Sequence, residues 1–422
     1  MLTQAPKGTH DILPDEIDKW HYVENKFAEI CRRFGYREIR LPVFEHTELF
    51  LRGVGETTDI VQKEMYTFED KGGRSLTLRP EGTAGVVRSY IEHGMSSLPQ
   101  PIKLFYNITA YRYEKMQKGR YREFRQLGIE LFGAKDPSAD VEVISLMVLF
   151  FNSLGIKNLT LSLNSIGCKE CRGEYNRILK EFLADKIDHM CENCRDRINR
   201  NPMRILDCKE EGCRHYLREA PAILDHLCDD CRDHFEKVTR GLQDIGIPYE
   251  VDKAIVRGLD YYNRTVFEFV SRNIGAQGTV CAGGRYDGLI ETCGGPPTPG
   301  IGFAMGVERL LLEMESQGIE VPPQPGPDIY LGSIGERAER LCEKLAWDLR
   351  SRGITCIKDI MGRSVKAQMK YADKLGAKYA LIIGDNEVES NKAALKDMKT
   401  GETRDISLDT LSDRLLKKRE TD

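Results

Sequence analysis

The chain has 422 residues, of which 41% are hydrophobic and 30% charged, and its formal net charge is −4. That length predicts two or three domains, and the slightly acidic balance argues against a nonspecific nucleic-acid binder covered in lysine. No apolar run approaches the length that spans a bilayer and the N-terminus lacks the apolar region of a signal peptide, so we expect a cytoplasmic protein.

The N-terminal segment is predicted to hold one long helix and two strands. Residues 15–34 carry an apolar stripe at helical spacing, and Gly35 follows them where a helix cap would lie. Strands are predicted over residues 37–45 and 63–70. This start is typical of a domain that mixes helices and strands.

A helix and a hairpin are predicted next. Residues 75–93 pass from strand-like alternation into a helix whose first turn could hold Glu81 and Thr83. Residues 102–114 and 124–133 are predicted to be strands. The polar, basic loop that joins them indicates that they pair as an antiparallel hairpin.

The second half of the chain suggests an insertion and a separate domain. From Cys168 to about His234 the pattern changes to short charged helices, and the strand and glycine pattern returns from Ile255. One domain is therefore interrupted by an insertion. The proline-rich residues 321–328 are predicted to be a linker, after which alternating strands and helices predict a small α/β domain with a largely parallel sheet.

Eight of the thirteen cysteines are spaced like metal ligands, in the order Cys168-x2-Cys171, Cys191-x2-Cys194, Cys208-x4-Cys213 and Cys228-x2-Cys231. Eight thiolates suit two tetrahedral zinc sites, which would be structural because four thiolates leave no position open for catalysis. Disulfides are not expected in a reducing cytoplasm. An iron–sulfur cluster, or unpaired cysteines on a small helical domain, are the alternatives.

Three arginines indicate chemistry without a protein nucleophile. The common hydrolase and phosphate-loop motifs are absent, whereas Arg112, Arg257 and Arg309 stand beside glycines or aromatic residues. A partly buried arginine such as Arg257 needs an anion, either a carboxylate or a phosphate. Each could be a structural ion pair, but together they favour a polyphosphate site, because such chemistry is mainly positioning and charge neutralisation.

Acidic and amide side chains occupy the same segments. Glu81, Thr83, Gln126 and Glu130 could bind an ammonium or another cationic group. Leu127, Ile129 and Leu131 would lie on the strand face opposite Glu130. Alternation alone therefore leaves Glu130 either in a pocket or exposed on the strand.

These segments resemble those of the bacterial histidyl-tRNA synthetases, which have the class II aminoacyl-tRNA synthetase fold. Residues 37–45 look like motif 1, residues 111–133 like motif 2 and residues 300–310 like motif 3. Residues 257–269 and 282–289 are similar to two segments characteristic of the histidine enzymes. The resemblance extends over nearly the whole chain.

The resemblance implies an α+β architecture in which helices flank an antiparallel sheet. It implies a class II catalytic domain over residues 1–167 and 252–321. It also implies a small helical, cysteine-rich insertion on the acceptor-stem side over residues 168–251, and an α/β anticodon-binding domain over residues 328–422. Motif 1 implies a homodimer. The family does not generally need zinc, so the cysteines would be a departure from its pattern.

The implied reaction has two steps and uses ATP with Mg²⁺. The carboxylate of L-histidine attacks the α-phosphorus of ATP to give histidyl-adenylate and diphosphate, and a 3′-terminal ribose hydroxyl of tRNA(His) then takes the histidyl group, releasing AMP. Because the attacking carboxylate is already an anion, no protein base is needed. By this resemblance, Arg112 would bind the α-phosphate, and Arg257 would bind the same phosphate from the other side, where relatives of other specificity can use a metal ion. Arg309 would bind the γ-phosphate, and Phe124 would stack on adenine.

Histidine would be held by a second set of residues. The resemblance places Glu81, Thr83 and Gln126 at its amino-acid end, and it makes Glu130, Tyr261, Tyr262 and Tyr286 line or support the imidazole pocket. A carboxylate and a phenol that reach both ring nitrogens would reject other amino acids by about 10⁴, because the polar groups of the site would be left unpaired.

The loop of motif 2 resembles the part that meets the tRNA acceptor end. Gln117 matches the position that contacts the extra 5′ nucleotide of histidine tRNA. Lys115 stands where relatives often have arginine, which would weaken a bidentate contact. A solvated basic turn is the alternative for this loop.

Two other functions remain possible. A noncatalytic, histidine-binding regulatory paralogue of histidine biosynthesis would be expected to lack the C-terminal domain and the phosphate-binding arginines, both of which are present here. A class II synthetase for another amino acid is disfavoured by residues 257–262 and by Glu130.

Overall fold

The computed structural model describes residues 3–55, 58–208, 210–274 and 278–419. The chain divides into two compact units, Met1–Val321 and Pro322–Asp422. The division falls at the start of the proline-rich segment predicted to be a linker. None of the helices in the described residues is both long and apolar enough to cross a membrane.

The first unit contains both long and short elements. Its helices are α1 (Pro14–Arg33), α2 (Thr47–Val54), α3 (Thr83–Glu92), α4 (Ser138–Ser153), α5 (Lys169–Leu183), α6 (Glu192–Arg200), α7 (Glu211–Leu217), α8 (Asp229–Asp244), α9 (Leu289–Thr292) and α10 (Val307–Ser316). Its strands are β1 (Arg37–Glu38), β2 (Phe44–His46), β3 (Tyr66–Glu69), β4 (Ser75–Leu78), β5 (Ile102–Tyr111), β6 (Glu123–Phe132), β7 (Thr160–Ser165), β8 (Glu250–Val251), β9 (Asn263–Val270), β10 (Thr279–Arg285) and β11 (Gly300–Gly306).

Eight strands form the main sheet, in the order β1-β5-β6-β11-β10-β9-β7-β8. The six central strands pair antiparallel, and the two-residue strands β1 and β8 pair parallel at the two edges. The predicted hairpin is confirmed, because β5 and β6 pair antiparallel along their whole length. A separate antiparallel sheet has the order β2-β4-β3.

The two faces of the main sheet bury different side chains. Leu127, Ile129 and Leu131 of β6 belong to the larger core, where they join buried residues of α1 and α4. Because successive side chains of a strand point to opposite faces, Gln126 and Glu130 point away from that core. The opposite face is therefore where β6 presents Gln126 and Glu130.

The predicted helix over 15–34 is confirmed as α1, and Gly35 follows it with a φ of 79°. The single strand predicted over 37–45 is wrong, because that segment divides between β1 and β2. Arg79 fixes the break by donating to the carbonyl oxygens of Leu41 (2.6 Å) and Pro42 (2.8 Å). Proline has no N–H to continue a ladder, so the chain leaves the main sheet there.

The second unit is a five-stranded sheet with helices. Its elements are β12 (Ile329–Ser333), α11 (Glu336–Ser351), β13 (Cys356–Lys358), α12 (Val365–Lys374), β14 (Tyr379–Ile383), α13 (Asp385–Ser390), β15 (Lys392–Asp397), β16 (Thr403–Ser407) and α14 (Leu411–Arg419). The strand order is β13-β12-β14-β15-β16. The prediction of a largely parallel sheet is wrong: two pairings are parallel, but β14 to β16 pair antiparallel.

Candidate active site

A cleft of about 370 Å³ opens on the polar face of the main sheet. Its walls contain nine of the residues that the sequence singled out, namely Glu81, Thr83, Arg112, Phe124, Gln126, Arg257, Tyr261, Tyr262 and Arg309. They come from segments far apart in the chain, and the fold brings them to one place.

One end of the cleft lies at the N-terminus of α3. The carboxylate of Glu81 accepts hydrogen bonds from the backbone N–H groups of Thr83 (2.7 Å) and Ala84 (2.8 Å), so it caps the helix. The side-chain oxygen of Gln126 accepts from the N–H of Gly82 at 2.9 Å. Burial raises the pKa of Glu81, while the two backbone hydrogen bonds oppose that rise. This end is held rigidly by the helix and by β6.

Glu130 lies beneath the same end and is fully buried. One carboxylate oxygen accepts from the hydroxyls of Thr83 (2.7 Å) and Tyr106 (3.3 Å), and the other accepts from Tyr286. Burial raises the pKa of Glu130 to about 8, although the three hydroxyl donors stabilise the anion. The possibility of an exposed strand carboxylate is therefore wrong.

Glycines give Glu130 the space it occupies. Gly302 of β11 is its neighbour in the adjacent strand, and a Cβ at that position would overlap the Glu130 carboxylate. Gly128 in the same way leaves room for the Tyr106 hydroxyl. The glycine-rich motif 3 strand thus serves the packing of this buried network.

Three tyrosines cluster near Glu130. The ring centroids of Tyr261 and Tyr262 are 4.6 Å apart, and Tyr286 lies 5.5 Å from Tyr261. Tyr261 and Tyr262 line the cleft, whereas Tyr286 is buried and donates a hydrogen bond from its hydroxyl to Glu130. The tyrosines and the buried carboxylate form an aromatic pocket with several hydroxyl groups.

Arg257 finds a carboxylate in the protein itself. It pairs with Glu268 of β9, and Glu268 also accepts from the Thr279 hydroxyl at 2.8 Å. The guanidinium carbon lies 5.4 Å from the ring centroid of Tyr262. Its buried Nε has no hydrogen-bond partner among the described residues. Arg257 thus has a protein carboxylate as one anion, and its Nε remains a donor for an anionic ligand.

The other two arginines share a region with an arginine that the sequence did not single out. Arg112 donates to the carbonyl of Pro80 at 2.8 Å and lies 5.4 Å from the ring centroid of Phe124. Arg309 donates to the carbonyl of Thr279 at 2.8 Å. Burial lowers the pKa of Arg309, and the charges of Arg120 and Arg112 lower it further. Such crowding of positive charge suits a polyphosphate.

Three charged residues of this region were missed by the sequence analysis. Arg120 pairs with Glu114 at 3.0 Å, and Glu114 lies 3.6 Å from Arg112. Glu308 is buried, and burial raises its pKa to about 7. The position of Glu308 beside Arg309 was the available signal. Arg120 was treated as part of a basic loop, and Glu114 as the end of the strand before that loop.

The tip of that loop lies outside the cleft. Gln117 and Arg120 close a tight turn through their backbones, with the N–H of Arg120 donating to the carbonyl of Gln117 at 2.9 Å. Gln117 and Lys115 are exposed. Their side chains are thus accessible to a large ligand, and the role of Gln117 stays a prediction.

The eight cysteines of the insertion form two groups of four. One contains Cys168, Cys171, Cys228 and Cys231, and the other Cys191, Cys194, Cys208 and Cys213. In each group the sulfur atoms all lie within 4.8 Å of one another. The Sγ atoms of Cys168 and Cys171 are 3.6 Å apart, and those of Cys191 and Cys208 are 3.8 Å apart.

These separations fit metal ligands better than disulfides. Four thiolates about 2.3 Å from a tetrahedral zinc ion would have sulfurs about 3.8 Å apart, whereas a disulfide needs about 2.05 Å. All thirteen cysteines are free thiols. In chain order, the first cysteine pair is grouped with the fourth, and the second pair with the third. The first group therefore brings the beginning and the end of the cysteine-rich segment together.

Two family models match the chain. That of the histidyl-tRNA synthetase matches residues 8–310, and that of the anticodon binding domain matches residues 328–418. A histidine--tRNA ligase of Acetivibrio thermocellus is 65% identical over 98% of this chain and 100% of its own length. One of Caldanaerobacter subterraneus subsp. tengcongensis is 57% identical, covering 97% and 99%. The crystal structure of apo S. aureus histidyl-tRNA synthetase matches with a TM-score of 0.84 at 44% identity, covering 98% of this chain and 99% of that one.

Proposed function

The chain belongs to the histidyl-tRNA synthetase family, and from this premise we propose that the cleft described above forms histidyl-adenylate and passes the histidyl group to tRNA(His). The chain is an enzyme of the aminoacyl-tRNA ligase class, with histidine, ATP and tRNA as substrates. The convergence of Arg112, Arg257 and Arg309 on one cleft is the observation that carries the assignment of the site.

The arginines would promote adenylation by binding the phosphates. Arg112 and Arg257 are assigned to opposite sides of the α-phosphate and Arg309 to the γ-phosphate. They would stabilise the charge that develops on the phosphoryl oxygens as the histidine carboxylate attacks. A bond forms between a carboxylate oxygen of histidine and the α-phosphorus, while the bond from that phosphorus to the diphosphate oxygen breaks. No proton has to be moved in this step. Phe124 would stack on adenine.

The other end of the cleft would bind histidine. Glu81, with Thr83 and Gln126 beside it, is assigned to the ammonium group, which a buried carboxylate suits. Tyr261 and Tyr262 would face the imidazole, while Tyr286, hydrogen-bonded to Glu130, would support them through its ring contacts. The hydroxyl groups of Tyr261 and Tyr262 would be left without a ligand partner by any side chain that lacks ring nitrogens.

Mg²⁺ fits the phosphate end of the same cleft. Glu308 is buried, lines the cleft, and has one carboxylate oxygen without a partner among the described residues. Glu114 lines the same region. Carboxylates together with substrate phosphates are the ligands that Mg²⁺ prefers, and the ion would neutralise charge on the phosphates.

The insertion would hold two structural zinc ions, one in each cysteine group. Metal analysis of purified chain is expected to give two zinc ions, and Cys213→Ser is expected to reduce this to one. Cys293→Ser is the matched control, because Cys293 lies outside both groups. Less than stoichiometric zinc and iron in the unsubstituted chain would overturn this part of the proposal.

Dimerisation, anticodon reading and a cytoplasmic location complete the proposal. Phe44 and Phe68 lie on the three-stranded sheet that contains part of motif 1; their rings are 6.3 Å apart, and they are 50% and 44% exposed. An exposed aromatic pair suits a self-complementary interface. Phe44→Glu is expected to shift the mass in light scattering from dimer to monomer. The second unit would read the anticodon. The reaction would take place in the cytoplasm, where ATP and tRNA are available.

Amino-acid-dependent ATP–diphosphate exchange tests the central proposal. Histidine is expected to exceed every other amino acid by about 10⁴ in kcat/KM. No exchange with histidine above that with other amino acids would overturn it. The retained arginines and the full-length ligase relatives favour the enzyme over a regulatory paralogue.

A further inference from the structure

The segment Gly258–Tyr262 connects Arg257 to β9 and contains two tyrosines of the aromatic pocket. It forms neither helix nor strand, so its conformation depends on contacts from elsewhere. Gly258, Leu259, Tyr261 and Tyr262 all line the cleft. A movement of this segment would therefore displace the proposed histidine pocket and Arg257 together.

Three side chains of the insertion contact this segment. Arg204 donates from Nη1 to the carbonyl of Gly258 at 3.0 Å, and Asn201 donates from Nδ2 to the carboxylate of Asp260 at 2.9 Å. Arg172 donates from Nη1 to the carbonyl of Tyr262 at 3.1 Å. The contacts are spread along the segment, from its first residue to its last.

Arg204 is the most enclosed of the three. Only 6% of it is exposed, and it lines the cleft from the short 3₁₀ helix Pro202–Ile205. Its Nη2 lies 3.5 Å from the Asp59 carboxylate, which also lines the cleft. Arg197 donates to the backbone carbonyl of Arg204 at 3.2 Å and pairs with the same Asp59 at 3.5 Å. Arg204 is thus held both at its guanidinium group and at its backbone carbonyl.

Each cysteine group holds one part of this contact set. Arg172 directly follows Cys171 of the first group at the start of α5. Asn201 and Arg204 lie between Cys194 and Cys208 of the second group. Two tetrahedral metal sites would therefore fix the backbone from which these side chains reach the cleft.

We propose that Arg204 and Asn201, with Arg172, are positioning residues that hold Gly258–Tyr262 in the conformation needed for adenylation. The insertion is then part of the catalytic site, in addition to any contact it makes with tRNA. This inference rests on the proposed function of the cleft. A displacement of about 1 Å in such a site can cost 10²-fold in rate, so a loss of these contacts is expected to be measurable.

The test compares Arg204→Gln with Arg204→Lys and with Arg195→Gln, an exposed position on neighbouring α6. In histidine-dependent exchange, Arg204→Gln is expected to raise the KM for histidine about 10-fold and to lower kcat by a similar factor. Arg204→Lys keeps one donor for the Gly258 carbonyl and is expected to recover most of the loss. Arg195→Gln is expected to match the unsubstituted chain.

Two further measurements separate positioning from folding. Zinc content and thermal unfolding are expected to be the same for Arg204→Gln and the Arg195→Gln control. Asn201→Ala removes a contact from a less enclosed side chain, and it is expected to raise the KM for histidine about threefold. If Arg204→Gln loses zinc or unfolds early, Asn201→Ala decides, and an unchanged KM and kcat in that variant overturns the proposal.

The outcome is distinct from a failure of the proposed function. If the unsubstituted chain gives no histidine-dependent exchange, the assignment of the cleft is wrong. If it gives exchange and both Arg204→Gln and Asn201→Ala equal it in KM and kcat, only the positioning role is wrong.

Discussion

The two ends of the cleft differ in how far the protein satisfies its own polar groups. At the end assigned to histidine, the oxygens of Glu81, Gln126 and Glu130 accept hydrogen bonds from named donors. At the end assigned to the phosphates, buried atoms of Arg257 and Glu308 have no partner among the described residues. The protein itself therefore satisfies the polar groups of the first end, whereas the second end retains atoms that a charged ligand could contact.

This difference separates specificity from charge neutralisation. A rigid, satisfied pocket discriminates because a wrong ligand cannot replace the contacts for which it is shaped. Buried atoms of charged side chains that lack a hydrogen-bond partner instead cost free energy, which a ligand that contacts those atoms recovers. Substitutions at the two ends are therefore expected to affect different kinetic constants.

The largest effect is expected from Arg257→Ala. Loss of a guanidinium at the α-phosphate should lower kcat for exchange by about 10³, the range seen when one transition-state donor is removed. Histidine binding, measured by calorimetry, should change less than threefold. Exchange kinetics and calorimetry on one preparation make the comparison.

Arg272→Ala is the control for this substitution, since Arg272 is exposed just beyond β9. Arg257 also pairs with Glu268, so the alternative is a purely structural ion pair. A large fall in thermal stability together with a proportional loss of histidine binding would favour that alternative.

Glu130→Gln addresses the other end of the cleft. Glutamine replaces one carboxyl oxygen of Glu130 with an NH₂ group, which cannot accept a hydrogen bond, so at least one of the three hydroxyls loses its acceptor and the tyrosine pocket should loosen. We expect kcat/KM for histidine to fall about 10²-fold, mainly through KM, with the KM for ATP within a factor of three. An equal rise in both KM values would show that the two ends are not separable.

Elements with a long periodic pattern of apolar residues were predicted correctly from the sequence. The prediction failed where a contact between residues distant in sequence determines the bounds of a strand. The helix α1 and the β5–β6 hairpin were expected from periodicity alone. The strand over 37–45 was not divided in the prediction, because the contact from Arg79 is remote in sequence. The β15–β16 hairpin was missed because alanine and charged residues dilute its alternation.

The site was predictable to the same extent. Residue pattern alone singled out six of the nine cleft-lining residues, and the resemblance added Phe124, Tyr261 and Tyr262. The glycines at 128 and 302 could not be explained until Tyr106 and Glu130 were placed against them. The grouping of the cysteines also depends on the fold, because spacing identifies pairs but not which pairs meet. Arg204 had no recognisable signal at all.

Arg120→Gln is expected to have a smaller effect at the phosphate end. Arg120 contributes charge near Arg309 and pairs with Glu114, so its loss should raise the KM for ATP about 10-fold and leave the KM for histidine unchanged. Lys118→Gln is the matched control on the same loop, where the side chain is 81% exposed. Equal effects of the two substitutions on the KM for ATP would indicate that the positive charge of the loop acts at a distance, with no specific contact between Arg120 and ATP.

The last expected effect is on stability, with no change in the chemistry of the cleft, and it follows from the pKa of Glu130. Burial raises this pKa from 4.5 to about 8, so between those values the folded chain keeps a proton that the unfolded chain has lost. The free energy of unfolding should therefore fall as pH rises through this window, by about 1.4 kcal/mol per pH unit for one proton. Burial also raises the pKa values of Glu81 and Glu308, which adds to the same trend.

Glu130→Gln isolates the contribution of this one carboxyl group. Denaturant unfolding at pH 6 and pH 7 should show a stability difference that is about 1.4 kcal/mol smaller in the variant, because glutamine does not titrate while Glu81 and Glu308 remain in both chains. Equal differences in the two chains would mean that Glu130 is ionised throughout. The three hydroxyl donors would then outweigh burial, and the histidine end would offer imidazole an anion.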